Sequence, residues 1–139
     1  MKTYQKRWTD INKWSNAWFR DLSMEAKVLY LYILDRCDRS GVWESDWVAA
    51  KFEIGDRCDW ERVFESLSDR FEKLGDNTWF CKKFIQFQEG AQPLSPECNR
   101  HKGLFRLIKH WGLSDEQTGV KVKAAAKGGQ SLKKRRGGY

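Results

Sequence analysis

Two histidines, four cysteines and a one-signed run of lysines and arginines are the side chains of this 139-residue sequence best equipped for chemistry. Cys98 and His101 are separated by two residues, which fits one half of a zinc site. The other half is missing, because Cys58 and Cys81 are distant and no second close pair completes the ligand set. The four thiols, Cys37 included, therefore read as small buried or half-buried side chains. His101 and His110 fall in one stretch, and no nucleophile motif, phosphate loop or paired-carboxylate pattern accompanies them. Neither an enzyme nor a metal or cofactor site is expected.

The cations carry more information. Beyond Thr118 stand Lys121, Lys123, Lys127, Lys133, Lys134, Arg135 and Arg136, and these seven equal the formal net charge of +7. All 19 acidic residues lie between Asp10 and Glu116, so the body is formally neutral. A polycation without carboxylates is suited to phosphates, which it reads as charge rather than as base sequence. If all seven neutralised phosphates on duplex DNA, the slope of log K against log salt would be about −6. Arg135 and Arg136, with Tyr139, are also able to stack on unpaired bases. From Gly119 onward five glycines and few large apolar residues leave too little surface to offset the entropy of ordering. A flexible basic tail over residues 114–139 is expected, following one folded domain over residues 1–113.

Something must position these groups. Aromatics make up 14% of the chain, with eight Trp, enough for one compact core. The first residues hold charge without an apolar stretch, and the longest uncharged apolar run, Val28 to Leu34, is far short of the roughly 20 residues of a membrane span. A soluble, cytoplasmic protein with no membrane partner is expected. Leu22, Ala26, Leu29, Ile33 and Cys37 form an apolar stripe at helical spacing behind Ser23, an N-cap residue. Gly41 breaks that helix, and Val42-Trp43 supplies a short strand. A second helix fits Ser45 to Phe52. A third begins at Asp59, carries Trp60, Val63, Phe64 and Leu67 inward, and ends near Ser68 or Asp69. Gly75-Asp76-Asn77 predicts a turn between strands at Arg70 to Leu74 and Thr78 to Lys83, the latter running on through Phe84 to Gln88. After Pro93 and Pro96 a last helix shows Leu104, Leu107, Ile108 and Trp111 as its stripe, with Gly112 just past its end. The fold class is mainly α with a small β-hairpin.

Two phrases go further. Trp18-Phe19-Arg20-Asp21-Leu22-Ser23, with Ala26-Lys27, resembles the opening of the winged-helix domain of phage and prophage replication proteins. Phe84-Ile85-Gln86-Phe87-Gln88-Glu89-Gly90, then Pro93-Leu94 and His101-Lys102, is similar to that family's phrase after the wing. Cys37-Asp38-Arg39-Ser40-Gly41-Val42 and Ile54-Gly55 stand where the family places its first turn and the entrance to its third helix. The resemblance spans roughly Trp8 to Leu113. It implies a winged helix-turn-helix with an added C-terminal helix, and a DNA-binding or replisome-organising role in a bacterial host cell, related to primosome-loading proteins of the DnaD type. Its partners would be DNA, single- or double-stranded, together with further copies of itself or host replication proteins. A basic tail stands here where such proteins commonly continue into another region.

In that geometry the third helix offers Arg62 and Ser66 to the major groove. Glu61, Glu65 and Asp69 share the face and would repel phosphates. On the wing, Lys82 and Lys83 are adjacent and would point to opposite sides of a strand, with Lys73 near the same turn. Lysines also protect edge strands against aggregation. The neutral body and acidic third helix equally suit a protein-interaction or oligomerisation module, and a transcriptional repressor is a third reading. Trp14, Trp18, Trp43, Trp47, Trp60, Trp79 and Trp111 read mostly as core, with Trp79 on the wing the one whose exposure would suggest base stacking.

Overall fold

The computed structural model describes residues 5–90 and 93–120. After an irregular arm and a 3-10 turn, Ile11–Ser15, come α1 (Ala17–Arg20), α2 (Met24–Arg36), β1 (Val42–Glu44), α3 (Trp47–Ile54) and α4 (Trp60–Phe64). A 3-10 segment, Glu65–Arg70, leads into β2 (Phe71–Gly75) and β3 (Thr78–Cys81), followed by α5 (Phe84–Glu89), α6 (Asn99–Trp111) and α7 (Asp115–Thr118). The protein is mainly helical, with one antiparallel sheet in the order β1-β3-β2. No helix among the described residues is long and apolar enough to cross a membrane.

The helix starts follow from side-chain caps. Ser23 accepts from the Ala26 amide at 3.0 Å, Asp46 from Ala49 at 3.0 Å and Asp59 from Arg62 at 3.3 Å. Each satisfies an amide that the first helical turn leaves without a partner. The expected start at Ser45 therefore moves to Trp47, behind the Asp46 carboxylate.

The sheet is buried on both faces, and the two-residue period of its strands sorts their side chains. Trp43, Phe71, Trp79 and Cys81 join Ala26, Leu29, Ile33, Trp60 and Phe64 in a core beneath α2 and α4. Val42, Leu74 and Phe80 point the other way, against Ile85, Leu94, Leu104, Ile108 and Leu113. The register agrees, with Val42 opposite Phe80 and Trp43 opposite Trp79, since directly paired residues share a face. Three layers result: α2 with α4, the sheet, then α5 with α6.

Two expectations need correction. The wing strand does not continue through Phe84 to Gln88. It ends at Cys81, Lys83 takes a left-handed conformation (φ 66°), and α5 begins. Phe84 packs directly against the turn at Gly41, and the left-handed Lys83 swings the chain out of its extended run. The Phe87 amide then bonds back to the Lys83 carbonyl at 3.1 Å, which starts the helix. The folded body also extends past Leu113. Ser114 and Gln117 form a reciprocal capping box, Gln117 donates to Glu72, and Thr118 is buried. Val120 packs beside the second core.

Candidate nucleic-acid interface

The third-helix candidates occupy a smaller element than expected. α4 is five residues long and tightens into the 3-10 segment, where Ser66 and Ser68 donate their hydroxyls back to the carbonyls of Val63 (2.7 Å) and Glu65 (2.9 Å). Such local bonds compete with the α-helical ladder. Ser66 thus has its donor engaged within the turn. Arg62 is exposed, and so are Glu61, Glu65 and Asp69 around it. One cation among three carboxylates gives this face no attraction for a phosphate-lined groove.

The wing offers little more. Its turn residues are Asp76 and Asn77, and the pairing is irregular between Lys73 and Gly75. Lys73 is exposed, with its ammonium 5.9 Å from the centroid of Trp79. Trp79 itself is half-buried and meets Phe64 edge-on at 4.9 Å, so it serves the core rather than a ligand. Lys82 and Lys83 are not on the strand, so the alternation expected of them does not apply; they form the turn into α5. Lys82 donates to the Asp69 carbonyl at 3.1 Å. Lys121, Lys123, Lys127, Lys133, Lys134, Arg135 and Arg136 lie outside the described residues.

A stronger basic surface lies on α6. Between Asn99 and Trp111 there are four Lys or Arg residues and no acid, the nearest in sequence being Glu97 and Asp115. Leu104, Phe105, Ile108 and Trp111 face the second core. Lys102, Arg106 and Lys109, at i, i+4 and i+7, form an exposed row on the opposite side, with His110 beside it and Arg100 exposed at the N-terminal end. Lys109 and His110 suit the negative end of the helix macrodipole, but Arg100 and Lys102 sit toward its positive end, where a cation is unfavourable. Helix stability therefore does not explain them. Sequence reading finds the apolar stripe of this helix and overlooks its complement. The signal was available in the thirteen acid-free residues plotted at 100° per residue.

The joint that aims α6 is Asp38. Its carboxylate accepts from the Ser40 amide (2.8 Å), the Ser40 hydroxyl (2.6 Å), the Val42 amide (3.2 Å) and the indole N–H of Trp111 (2.8 Å). One side chain thus closes the turn into β1 and holds the end of α6. Gly41 is required in that turn: its φ is 87°, and an added Cβ would stand 2.8 Å from Cβ of Phe84. Arg39 pairs with Glu89 at 3.2 Å and passes 3.9 Å from where a Gly103 Cβ would lie. Because α4 and α6 cover opposite faces of the sheet, their outer surfaces point away from each other, and one duplex cannot lie on both.

Cys37 and Cys81 are buried, and Cys58 and Cys98 are half-buried. All four are free, and no group of three His, Cys, Asp or Glu among the described residues is arranged to hold a metal ion. Burial pushes Cys37 and Cys81 up to about 12. The backbone amide of Arg100 holds the Cys98 thiol below its ordinary value, while His101 accepts from the Ser95 amide at 3.1 Å through Nδ1. Comparison with family models, curated proteins and solved structures finds no match to this chain.

Proposed function

We propose that this chain is a winged-helix DNA-binding protein of the phage replication type, in which the outer face of α6 and the segment Lys121 to Arg136 engage phosphates together. The observation that carries this reading is the acid-free exposed row Lys102, Arg106 and Lys109, which the sequence follows, from Lys121 onward, with seven further cations. The succession α2, β1, α3, α4, β2, β3, with β1 paired to β3, supports the winged-helix part. From Lys102 to Lys109 the helix rises roughly 10 Å. That is about three phosphate steps of ~3.4 Å along one strand of a duplex. Contacts of this kind position a protein on DNA and tolerate any sequence.

Titrating labelled duplex with the intact chain and with a chain ending at Val120 tests the proposal. Ten phosphate contacts predict a salt slope near −9, falling to about −3 on truncation. Equal binding by the two chains would remove the segment from the mechanism, and salt-independent binding would remove the mechanism.

A second reading has its own support. Val48 and Phe52 lie at i and i+4 on α3 and are 80% and 89% exposed, beside an acidic α4 surface. Exposed apolar pairs of this size mark protein interfaces when they are contiguous with others. Sedimentation separates the readings: a strict monomer that binds DNA tightly counts against an interaction module.

A further inference from the structure

The arm ahead of α1 holds large apolar side chains in water. Trp8 is 74% exposed and Trp14 57%, and Ile11 between them is exposed as well. A free arm would fold such residues inward, but this one is pinned. The main chain of Trp8 forms a reciprocal pair with the side-chain amide of Gln88, donating to Oε1 at 2.9 Å and accepting from Nε2 at 2.7 Å. One residue earlier, the Arg7 guanidinium donates to the Leu34 carbonyl at 2.8 Å, at the end of α2, and lies 5.4 Å from the centroid of Phe84. On the other side Asp10 caps the 3-10 turn through the Asn12 amide at 2.9 Å. The Trp8 ring is therefore presented outward from a backbone fixed before and after it.

Beside the ring runs a groove of about 920 Å³ between the arm, α2 and the turn into α5. Arg7, Lys13, Arg70, Lys82 and Lys83 line it, opposed by Asp10 and Asp35. Within it the guanidinium of Arg70 stands 4.0 Å over the ring of Trp18. Lys82 spends one of its three donors on the Asp69 carbonyl and keeps two. The groove is thus a surplus of positive charge with aromatic faces at its rim and floor.

We propose that this groove binds unpaired nucleic acid, with Trp8 stacking on a base and Lys82 and Lys83 meeting the phosphates beside it. The inference rests on the nucleic-acid reading above and assigns it a strand class. Stacking on an exposed indole needs a free base face, which a duplex hides inside its own stack. Every base has such a face, so the contact is sequence-tolerant, and the flanking cations supply the backbone attraction. An apolar peptide would use the ring equally but would gain nothing from the excess of cations.

Fluorescence anisotropy with short oligothymidylate and with blunt duplex, on the full chain, tests this. Trp8→Ala should weaken oligothymidylate binding roughly tenfold and leave duplex binding unchanged. The main-chain bonds to Gln88 survive any side chain, and unchanged circular dichroism would show the fold intact. Trp8→Phe should recover most of the loss; Trp8→Leu, apolar but unable to stack, should not. Replacing Lys82 and Lys83 by Gln should flatten the single-strand salt slope by about 1.4. Equal affinity of wild type and Trp8→Ala for oligothymidylate, equal losses on both strand classes, or full retention by Trp8→Leu would each overturn the proposal. Duplex binding that depends on α6, without single-strand binding, would overturn this inference alone. No binding to either would overturn the reading beneath it.

Discussion

Replacing Lys102, Arg106 and Lys109 together by Gln should remove the helix's phosphate contacts while leaving the fold in place. All three side chains are exposed, and their helix is held by Leu104, by the core around it and by the Asp38–Trp111 bond. Helix electrostatics nearly cancel: losing Lys109 from the last turn costs about 0.3–1 kcal/mol, and losing Lys102 from near the first turn returns a similar amount. The melting temperature should therefore move little. Binding should move a great deal, because each lost contact takes about 0.9 from the salt slope, or about 2.7 for three. Between about 50 mM and 200 mM salt that is a difference of roughly 40-fold in how far affinity falls. Duplex anisotropy across that range, run beside Glu61→Gln/Glu65→Gln on α4 and the 3-10 segment after it as a control, measures it. A triple variant with wild-type affinity and slope would refute the assignment of α6.

Asp38→Ala removes the acceptor of four hydrogen bonds around the buried Ser40 and should cost about 3 kcal/mol or more, read by urea unfolding. Stability should fall at alkaline pH. Cys37 and Cys81 titrate from 9.0 when unfolded but only at about 12 when buried, and Tyr30 is raised by burial from 10.0 to about 12. Between those values the unfolded chain holds fewer protons, so the melting temperature should be level near neutrality and drop steadily above about pH 9. Cys98, lowered by the Arg100 amide, should be alkylated at lower pH than Cys58, whose thiol is raised, with Cys37 and Cys81 protected in the native protein. Mass mapping of iodoacetamide adducts against pH checks the order.

Much of the scaffold is legible in the residues. Ser23, Asp59 and Gly112 mark helix ends through local chemistry that tertiary packing does not override, and Gly75-Asp76-Asn77 marks the hairpin. The misreadings share a cause, which is that packing decides where local preference is weak. Phe84-Ile85-Gln86-Phe87 has the composition of a strand, yet Phe84 packs against the Gly41 turn and the left-handed Lys83 ends the extended run, so the segment coils into α5. The 3-10 finish of α4 goes with serine hydroxyls donating to the carbonyls three residues earlier, which the apolar stripe conceals. Attention to apolar periodicity also draws the eye away from polar periodicity. The row on α6 is visible in the sequence only when the helix is read from its outer side. Trp8 is different, since nothing local predicts that Gln88, eighty residues away, fixes it facing water.

The most direct measurement is a backbone amide chemical-shift map of the full chain titrated with duplex DNA at low salt. Binding through α6 predicts perturbations concentrated at Arg100–His110, with Glu61–Asp69 on the far side of the sheet unmoved. Shifts centred on Glu61–Asp69, with α6 silent, would contradict it.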